Sequence, residues 1–235
     1  FTGFDKVYRT TFEFGKETDT SDPEGSVTAE STVPLLSDIE SVLPAFSGKI
    51  FQQPPLYSAV HINGERAYRL ALKGQTVEIP AREIEIFDWK ILDYSPPYLK
   101  SEIHCSKGTY IRSLARDLGR ACGSRAYVKT LERTAVGGFS LAQAVTVNDL
   151  KEDGSDGLRD EALFSLLPDL AVCRLKSGAA ADFFNGKPFS ADGFETKPPY
   201  GIFAVFHKSR FAGMMEREKT GRLRYRFVMT EDEDH

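Results

Sequence analysis

Residues 99–122 contain a change of hydrophobic period that narrows what this chain can fold into. From Leu99 to Cys105, small or apolar residues alternate with polar ones, which is the period of a half-buried strand. After Gly108, apolar residues recur at helical spacing from Ile111 to Cys122. The chain must therefore pass from a strand, through a glycine turn, into an amphipathic helix.

The turn and the helix carry features that suit an anion. Lys107 stands in the turn, and Thr109 is in position to be the N-cap of the helix, whose free N–H groups attract negative charge. Arg112, Arg116 and Arg120 follow at intervals of four and form a basic stripe on one helix face. On spacing alone, this stripe fits a solvated helix face as well as a contact with a phosphate backbone.

Charge is unevenly distributed along the chain, although the net charge is only −4. Residues 13–40 carry eight acidic side chains and one lysine, a net charge of −7. Residues 49–133 carry 14 basic and 9 acidic side chains, a net charge of +5. A polyanion would therefore be met by the middle of the chain. The acidic first part could instead bind a protein partner, for which the sequence has no specific motif.

The bulk composition restricts the class of protein. The 235 residues, of which 41% are hydrophobic and 27% charged, suit one large and one small globular domain. Three cysteines without a Cys-x-x-Cys argue against a disulfide framework and a structural zinc site, so we expect a reducing, cytoplasmic compartment and no metal. No apolar run is long enough to span a membrane, and we expect no membrane partner. The first residues form no signal peptide and lack a Met, so we expect a further N-terminal portion.

The part of the chain before the turn contains predicted strands and a long insertion. Tyr8 to Phe14 alternate as a strand that ends at Gly15, and residues 83–87 alternate as another. Between them, residues 16–25 form a polar loop whose acids, Asp19 and Asp22, fit turns and caps better than acid/base catalysis.

Residues 51–82 are rich in prolines, tyrosines and bases, and they contain a predicted hairpin at 63–64 and a short helix at 67–72. The insertion fits either a surface loop or an arm that enters a folded RNA.

The predicted secondary structure changes from helix to strands after residue 122. Residues 126–136 are predicted to form a buried strand, and from about Val172 short strands alternate with Gly and Pro, as in a small all-β module. Arg222, Arg224 and Arg226 alternate with apolar residues in its last strand, which favours a solvated edge over RNA contact. Residues 231–235 predict a disordered acidic tail.

These residues suit an enzyme or a binding protein that handles RNA. Modifying a base in a folded RNA requires its extrusion, an aromatic ring on which it stacks, and cations for the phosphates. Tyr8 and Tyr110 are candidate stacking residues. The candidate cations are Lys107, Arg112, Arg116, Arg120, Lys129 and Arg133. Composition leaves an RNA enzyme and an RNA-binding module equally open.

Several strings, in order, resemble the TruB-type tRNA pseudouridine synthases. The most specific are Lys-Gly-Thr-Tyr-Ile-Arg at 107–112 and Pro-Pro-Leu-Tyr-Ser-Ala at 54–59. Similar segments occur at 5–9, 15–25, 64–68 and 128–133, so the resemblance runs from Phe1 to near Met229.

The resemblance implies an α+β fold, in which a mixed, mainly antiparallel sheet is flanked by helices over residues 1–169. A small all-β, PUA-like RNA-binding domain with the acidic tail would follow at 172–235, and residues 51–82 would be an RNA-gripping thumb.

The resemblance also implies a reaction and a set of site residues. The family isomerises uridine 55 of the tRNA T-arm to pseudouridine without cofactor or metal, and we expect a monomer that binds tRNA. Tyr110 would take part in proton transfer, Arg112 would pair with the catalytic aspartate, and Tyr8, Leu131 and Lys107 would hold the uridine. The implied RNA contacts are Tyr57, His61, Arg66, Tyr68, Arg116, Arg120, Lys129 and Arg133.

The sequence departs from the family pattern at three points, one of which is Glu132 in a usually basic neighbourhood. The family's nucleophilic aspartate stands in a Gly-x-Leu-Asp string upstream of the Tyr8 strand, and residues 1–235 contain no such string. No other aspartate of the chain is assigned to that role, so a non-catalytic tRNA-binding or RNA-folding module is the alternative. His61 stands where a lysine is expected in the thumb, which weakens a phosphate contact when the imidazole is neutral.

If Tyr110 and Arg112 serve one pocket, Tyr110 must precede the regular helix, because residues two apart on a helix diverge by about 200°.

Overall fold

The structure, a computed structural model, describes residues 3–58, 60–62, 65–67, 69, 79–149, 164, 166–167 and 170–229. The chain divides into two compact units, Phe1–Ala142 and Gln143–His235. The helices and strands described in the first unit are, in chain order, β1 (Lys6–Phe14), β2 (Lys16–Thr18), β3 (Val27–Glu30), α1 (Leu36–Val42), a 3₁₀ turn (Leu43–Phe46), β4 (Gly48–Gln52), β5 (His61–Ile62), β6 (Glu65–Arg66), β7 (Arg82–Ser95), β8 (Tyr98–Cys105), α2 (Ile111–Ala121), β9 (Ala126–Val136), β10 (Phe139–Ser140) and a 3₁₀ turn (Leu141–Gln143).

The main sheet of the first unit has six strands in the order β10-β9-β1-β8-β7-β4. Every neighbouring pair in it is antiparallel. Phe12 of β1 lies opposite Leu99 of β8 on one side and Val128 of β9 on the other. The predicted strands at 8–14, 99–105 and 126–136 are all present, and the predicted α+β class with a mainly antiparallel sheet is confirmed.

One face of the sheet carries the core, because apolar residues alternate along β1 and β8 and the helices cover that face. Phe12, Leu99 and Ile103 are fully buried there, and Leu114 and Leu118 of α2 pack into the same cluster. The predicted apolar face of the helix is therefore its packing surface. The thiol of Cys105 lies in the same cluster, where burial raises its pKa to about 11.

Two of the predicted strands differ from the prediction in extent or burial. β7 runs from Arg82 to Ser95 rather than over 83–87. Register shifts in its pairing with β8 break the alternation of buried residues, so the period no longer marks the rest of the strand. β9 was predicted to be buried, but only its first three residues are; beyond Val128 the strand passes the edge of the core and is largely exposed.

The insertion at 51–82 is only partly described. His61 pairs with Arg66 and Ile62 with Glu65, which confirms the predicted hairpin, although Asn63 and Gly64 at its tip lie outside the described residues. Most of the predicted helix at 67–72 also lies outside them.

The described part of the second unit contains a four-stranded sheet in the order β11-β12-β13-β14 and a short helix, α3 (Ala180–Phe184). Its strands are β11 (Ala171–Arg174), β12 (Gly201–His207), β13 (Arg210–Arg217) and β14 (Leu223–Val228). β11 and β12 are parallel, and the other two pairs are antiparallel.

The core of the second unit gathers apolar residues from its strands and its helix, among them Phe183, Phe203 and Met215. The predicted strands are therefore present, but α3 means that the module is not wholly β. The predicted boundary near residue 169 and the predicted acidic tail fall on or beside residues outside the described ranges, and both stay predictions.

β14 follows the predicted alternation in part: Arg224 and Arg226 are exposed at the end of the four-stranded sheet, but Phe227 is exposed too, and Arg222 precedes the strand. Each arginine of the strand is paired with an acid of the same unit: Arg224 with Glu218 at 3.5 Å and Arg226 with Glu216 at 2.6 Å. This favours the solvated-edge interpretation of the strand.

Candidate functional site

The turn between β8 and α2 opens onto a cavity of about 430 Å³. Gly108 adopts φ +81°, a left-handed conformation in which a side chain would be strained, so glycine is needed at the turn. Lys107 and Tyr110 line the cavity together with Arg82, Glu83 and Ile84 of β7 and with Gly3. Two of the predicted site residues, Lys107 and Tyr110, are therefore brought together.

Tyr110 lies outside the regular helix. The residue has φ −105° and ψ 108°, an extended conformation, and α2 begins at Ile111. Tyr110 therefore precedes the regular helix, as it must if Tyr110 and Arg112 serve one pocket. The prediction of Thr109 as N-cap is wrong, because Tyr110 occupies the N-cap position and no side chain caps the helix there.

The conformation of Tyr110 is held by Gln52, the last residue of β4. Its side-chain amide donates to the Tyr110 carbonyl at 3.1 Å and accepts from the Tyr110 N–H at 2.9 Å. The ring of Tyr110 packs against Val60, Ala67 and Ile79, which belong to the insertion at 51–82.

Arg112 forms an ion pair with Asp22, the last acid of the Thr-Asp-Thr-Ser-Asp string. The Nη1 group of Arg112 lies 2.8 Å from Oδ2 of Asp22, and both side chains are about three-quarters buried. Arg112 also donates to the carbonyls of Thr20, at 3.3 Å, and of Tyr57, at 3.0 Å. One guanidinium thus joins the 16–25 loop, the insertion and α2.

The two acids of the 16–25 loop have different surroundings. Asp19 accepts from the N–H of Ser26, seven residues on, at 3.0 Å, and so closes the loop. Asp22 accepts locally from the Thr20 hydroxyl at 2.6 Å but also faces Arg112. The turn interpretation fits Asp22, whose carboxylate also accepts from the Glu24 N–H at 3.2 Å, but it does not account for the contact with Arg112. Gly25 is favoured here, because a Cβ at this position would lie 2.9 Å from the main-chain nitrogen of Thr20 and 2.3 Å from Oδ1 of Asp19.

The remaining arginines of the basic stripe are also engaged within the protein. Arg116 donates to Asp117 at 2.8 Å and to the Gln53 carbonyl at 3.0 Å. Arg120 makes two bonds to Glu17, at 2.6 and 3.1 Å, and these hydrogen bonds raise the pKa of its guanidinium. Spacing alone predicted none of these pairings. The RNA contacts predicted for Arg116 and Arg120 stay predictions.

Tyr8 lies half-buried in β1, opposite Ile103 of β8 and Arg133 of β9. Burial raises the pKa of its hydroxyl and the neighbouring Cys105 adds to the shift, while a hydrogen bond with Arg133 opposes it. Tyr8 therefore stays protonated near neutral pH and presents an uncharged aromatic ring.

The exposed half of β9 carries the other predicted contacts. Leu131 has 48% of its surface exposed and pairs with Thr10 across the sheet. Lys129 lies 3.0 Å from Glu13, which also accepts from the Tyr127 hydroxyl at 2.6 Å. Burial of Glu13 opposes ionisation, but these two hydrogen bonds outweigh it, so the pKa of Glu13 lies below its ordinary value.

The predicted contacts in the insertion are the least fully described. The main chain of Tyr57 binds Arg112, and Arg66 is exposed in β6. The side chain of His61 and all of Tyr68 lie outside the described residues.

Two residues that sequence reasoning did not assign stand at the centre of the site. Asp22 had a visible signal, since it is one of two acids in a motif that also resembles the family. Gln52 had none, because its bonds to the main chain of Tyr110 cross 58 positions and leave no periodic trace.

Within the described ranges, no group of three or more His, Cys, Asp or Glu residues is arranged to hold a metal ion. Nor does that part of the chain contain a helix long and apolar enough to cross a membrane. All three cysteines are described, and each is a free thiol.

Comparison with known proteins identifies the class of this fold and site. The family profile "TruB family pseudouridylate synthase (N terminal domain)" matches residues 1–111. A second profile, "tRNA pseudouridylate synthase B C-terminal domain", matches residues 112–170.

Solved structures of lower identity share the fold. One is titled "Crystal Structure of a Cbf5-Nop10-Gar1 Complex", with a TM-score of 0.59 and 20% identity over 96% of this chain and 67% of that one. Another is titled "Crystal structure of the archaeal box H/ACA sRNP Nop10-Cbf5 complex", with a TM-score of 0.59 and 17% identity over 98% of this chain and 68% of that one.

Curated relatives narrow the class to one family. The tRNA pseudouridine synthase B of Pseudomonas fluorescens (strain Pf0-1) is 37% identical over 227 residues, which cover 93% of this chain and 73% of that protein. The protein of the same name from Borreliella afzelii is 46% identical over 155 residues, or 65% of this chain and 55% of the relative. The chain belongs to the TruB family of tRNA pseudouridine synthases.

Proposed function

We propose that this protein is an isomerase that converts uridine 55 of the tRNA T-arm to pseudouridine. The observation that carries the proposal is the similarity to tRNA pseudouridine synthase B over 93% of the chain. The site supports it, since a tyrosine and an arginine of the Lys-Gly-Thr-Tyr-Ile-Arg motif are held in place by contacts from distant segments. In the reaction the C1′–N1 bond of the uridine breaks, a C1′–C5 bond forms, C5 loses a proton and N1 gains one.

The residue roles follow the family pattern and the geometry. Tyr8, uncharged and aromatic, stacks on the flipped uracil, and Leu131 supplies an apolar contact beside it. Tyr110 lies next to the reacting ring and takes part in proton transfer, while Lys107, in the same cavity, meets a phosphate. Arg112 supplies positive charge for the aspartate nucleophile. Neither a metal nor a cofactor takes part.

The RNA contacts extend beyond the pocket. The insertion at 51–82 grips the T-arm as a thumb, and the second unit acts as a PUA-like RNA-binding domain. We place the enzyme in the cytoplasm as a monomer. Further contacts with the tRNA come from Tyr57, His61, Arg66, Tyr68, Arg116, Arg120, Lys129 and Arg133. Because Arg120 and Lys129 are ion-paired within the protein, RNA phosphates must compete with Glu17 and Glu13 for them.

The nucleophile is the part of the proposal that the site does not supply directly. Arg112, expected to meet the catalytic aspartate, is paired with Asp22, which holds the arginine in position and is not assigned as the nucleophile. The Gly-x-Leu-Asp string does not occur in residues 1–235. The second candidate function is a tRNA-binding or RNA-folding module without catalysis.

A tritium-release assay on protein of known intact mass separates the two functions. The substrate is tRNA that carries 5-tritiated uridine, and the control is the same tRNA with cytidine at position 55, which should release no tritium from the T-arm. Release from protein heavier than 26.2 kDa supports the synthase and an aspartate outside residues 1–235.

Two other results would change the proposal. Release from protein of 26.2 kDa would overturn that placement of the nucleophile and direct attention to the aspartates within residues 1–235. No release by the heavier protein, with salt-dependent tRNA binding retained, would replace the synthase by the binding module.

A further inference from the structure

We propose that Gln52 is a positioning residue that decides where α2 begins and thereby aims Tyr110. The proposal rests on the proposed function only for its catalytic consequence, because the positioning can be measured without activity. Three observations carry it: the bonds of the Gln52 amide, the conformation of Tyr110, and an unused capping residue next to it.

The Gln52 side chain is almost completely buried, with 2% of its surface exposed. A buried amide needs partners for its donor and its acceptor, and here both bind the main chain of one residue, Tyr110. The side chain thus pairs with Tyr110 as a neighbouring strand would, which favours an extended backbone at that residue.

The local sequence favours a different helix start. Thr109 is a good N-cap residue, and a helix capped there would include Tyr110 as its first residue. In the structure the helix begins one residue later, and Tyr110 at the N-cap position contributes no side-chain capping bond. The chain therefore forgoes the capping interaction that the Thr109 side chain could make. The two hydrogen bonds from Gln52 supply the compensation.

The later start has a consequence for the site. Each residue added to a helix rotates the side-chain direction by about 100°, so inclusion of Tyr110 would turn its ring relative to Arg112. It would also withdraw the ring from Val60, Ala67 and Ile79. Gln52 therefore holds Tyr110 toward the cavity while Arg112 stays bound to Asp22.

The test uses Gln52→Met, which keeps the length of the side chain and removes both hydrogen bonds. The first measurement is the ¹³Cα chemical shift of Tyr110 in tyrosine-labelled protein, assigned with Tyr110→Phe. We expect this shift to move toward the helical value in Gln52→Met. The matched control is Gln53→Met, because the side chain of the adjacent glutamine donates to the Ile79 carbonyl, at 3.3 Å, and not to the main chain of Tyr110. The control should leave the Tyr110 shift unchanged.

A second-site variant distinguishes positioning from a general loss of structure. Without the Gln52 amide, we expect Thr109 to become the N-cap residue of the helix. Thr109→Val removes the hydroxyl that would cap it, at nearly constant side-chain volume. The double variant, Gln52→Met with Thr109→Val, should return the Tyr110 shift toward the wild-type value. A role limited to stability predicts no such reversal, and a shift that stays extended in Gln52→Met overturns the proposal.

The catalytic consequence is measured with single-turnover tritium release and tRNA binding. Misplacement of a reacting group by about 1 Å can cost about 100-fold in rate. We expect Gln52→Met to lower the single-turnover rate about 10- to 100-fold and to leave the tRNA dissociation constant within about twofold. The positioning role would be contradicted by a Gln52→Met protein that keeps the wild-type rate. It would also be contradicted if rate and tRNA affinity fell in parallel and Thr109→Val did not restore them. If wild-type protein releases no tritium while the Tyr110 shift responds as expected, the synthase proposal fails and the positioning of Tyr110 stands.

Discussion

The two faces of α2 are built from different interactions. The apolar face, including Leu114 and Leu118, is fully buried in the core of the main sheet. On the polar face, Arg112, Arg116 and Arg120 bind a carboxylate or a carbonyl of segments far away in sequence. Apolar burial is non-directional and fixes where the helix lies, whereas the guanidinium contacts are directional and fix which loops meet it. One helix therefore supports the fold with one face and assembles the site with the other.

The apolar face should show the largest effect on stability. Leu118→Ala leaves a cavity in a closely packed core, and we expect the free energy of unfolding to fall by about 2–5 kcal/mol. Urea denaturation measures the change. Leu92→Ala is the control, since Leu92 has 53% of its surface exposed and should cost less than about 1 kcal/mol. A loss for Leu118 no larger than that for Leu92 would contradict the assignment of this face to the core.

On the polar face, loss of the ion pair between Arg112 and Asp22 should lower activity. Arg112→Lys loses the planar fork that reaches Asp22, Thr20 and Tyr57 together, and Asp22→Asn removes the charge that the fork binds. We expect each change to slow single-turnover tritium release about 100-fold, or about 2.7 kcal/mol. The double variant should be slower by much less than the product of the two losses, because both remove one interaction.

The control for this pair is Asp19→Asn. Its amide oxygen can still accept from the Ser26 N–H, so the turn is retained. We expect a change in rate of less than about twofold. Equal losses for Asp19 and Asp22 would show that loop integrity, rather than the ion pair, is what the site requires.

The junction between α2 and β9 should show an intermediate effect. A Cβ at Gly119 would lie 2.5 Å from the main-chain nitrogen of Ala126 and 2.8 Å from the carbonyl carbon of Arg125, and main-chain atoms cannot move aside cheaply. Overpacking of this kind costs about 1–3 kcal/mol, against a gain of about 1 kcal/mol from helix propensity. A clash with main-chain atoms lies at the upper end of that cost, so we expect Gly119→Ala to be destabilising by about 2 kcal/mol in thermal unfolding.

The matched control is Gly178→Ala, since a Cβ there meets nothing within 4 Å. It should change the unfolding free energy by no more than about 0.5 kcal/mol. A Gly119→Ala protein as stable as wild type would mean that the helix and β9 can separate without cost.

The most exposed contact of the polar face should show the smallest effect. Glu17 and Arg120 form a two-bond pair, but the arginine side chain is 53% exposed. We expect Arg120→Gln to cost less than about 1 kcal/mol, and less still at high salt. The exchanged pair, Glu17→Arg with Arg120→Glu, should recover most of that loss in thermal unfolding measured at low salt. Failure of the exchange, with both single variants stable, would show that the pair contributes nothing.

Much of the fold could be predicted because period-two and helical patterns are local. β1, β8 and α2 all follow from such patterns, and the motif between β8 and α2 pointed to Lys107, Tyr110 and Arg112. β7 was predicted too short, because bulges at Ile86 and Ile91 shift its alternation out of phase. The site contacts of Asp22 and Gln52 were not predicted, because each joins segments that only the complete sheet brings together. Local capping preference misplaced the helix start at Thr109, since a long-range interaction outweighed it.

The contacts of Arg112 also bear on how the protein folds. Its side chain bonds to residues 90 and 55 positions away in sequence. Closing loops of that length carries an entropy cost that must be met before the contacts contribute, and such non-local contacts slow folding. A chain can therefore acquire its helices and strands well before the arginine meets its partners, so that in a refolding experiment catalytic competence should return later than the far-ultraviolet circular dichroism signal.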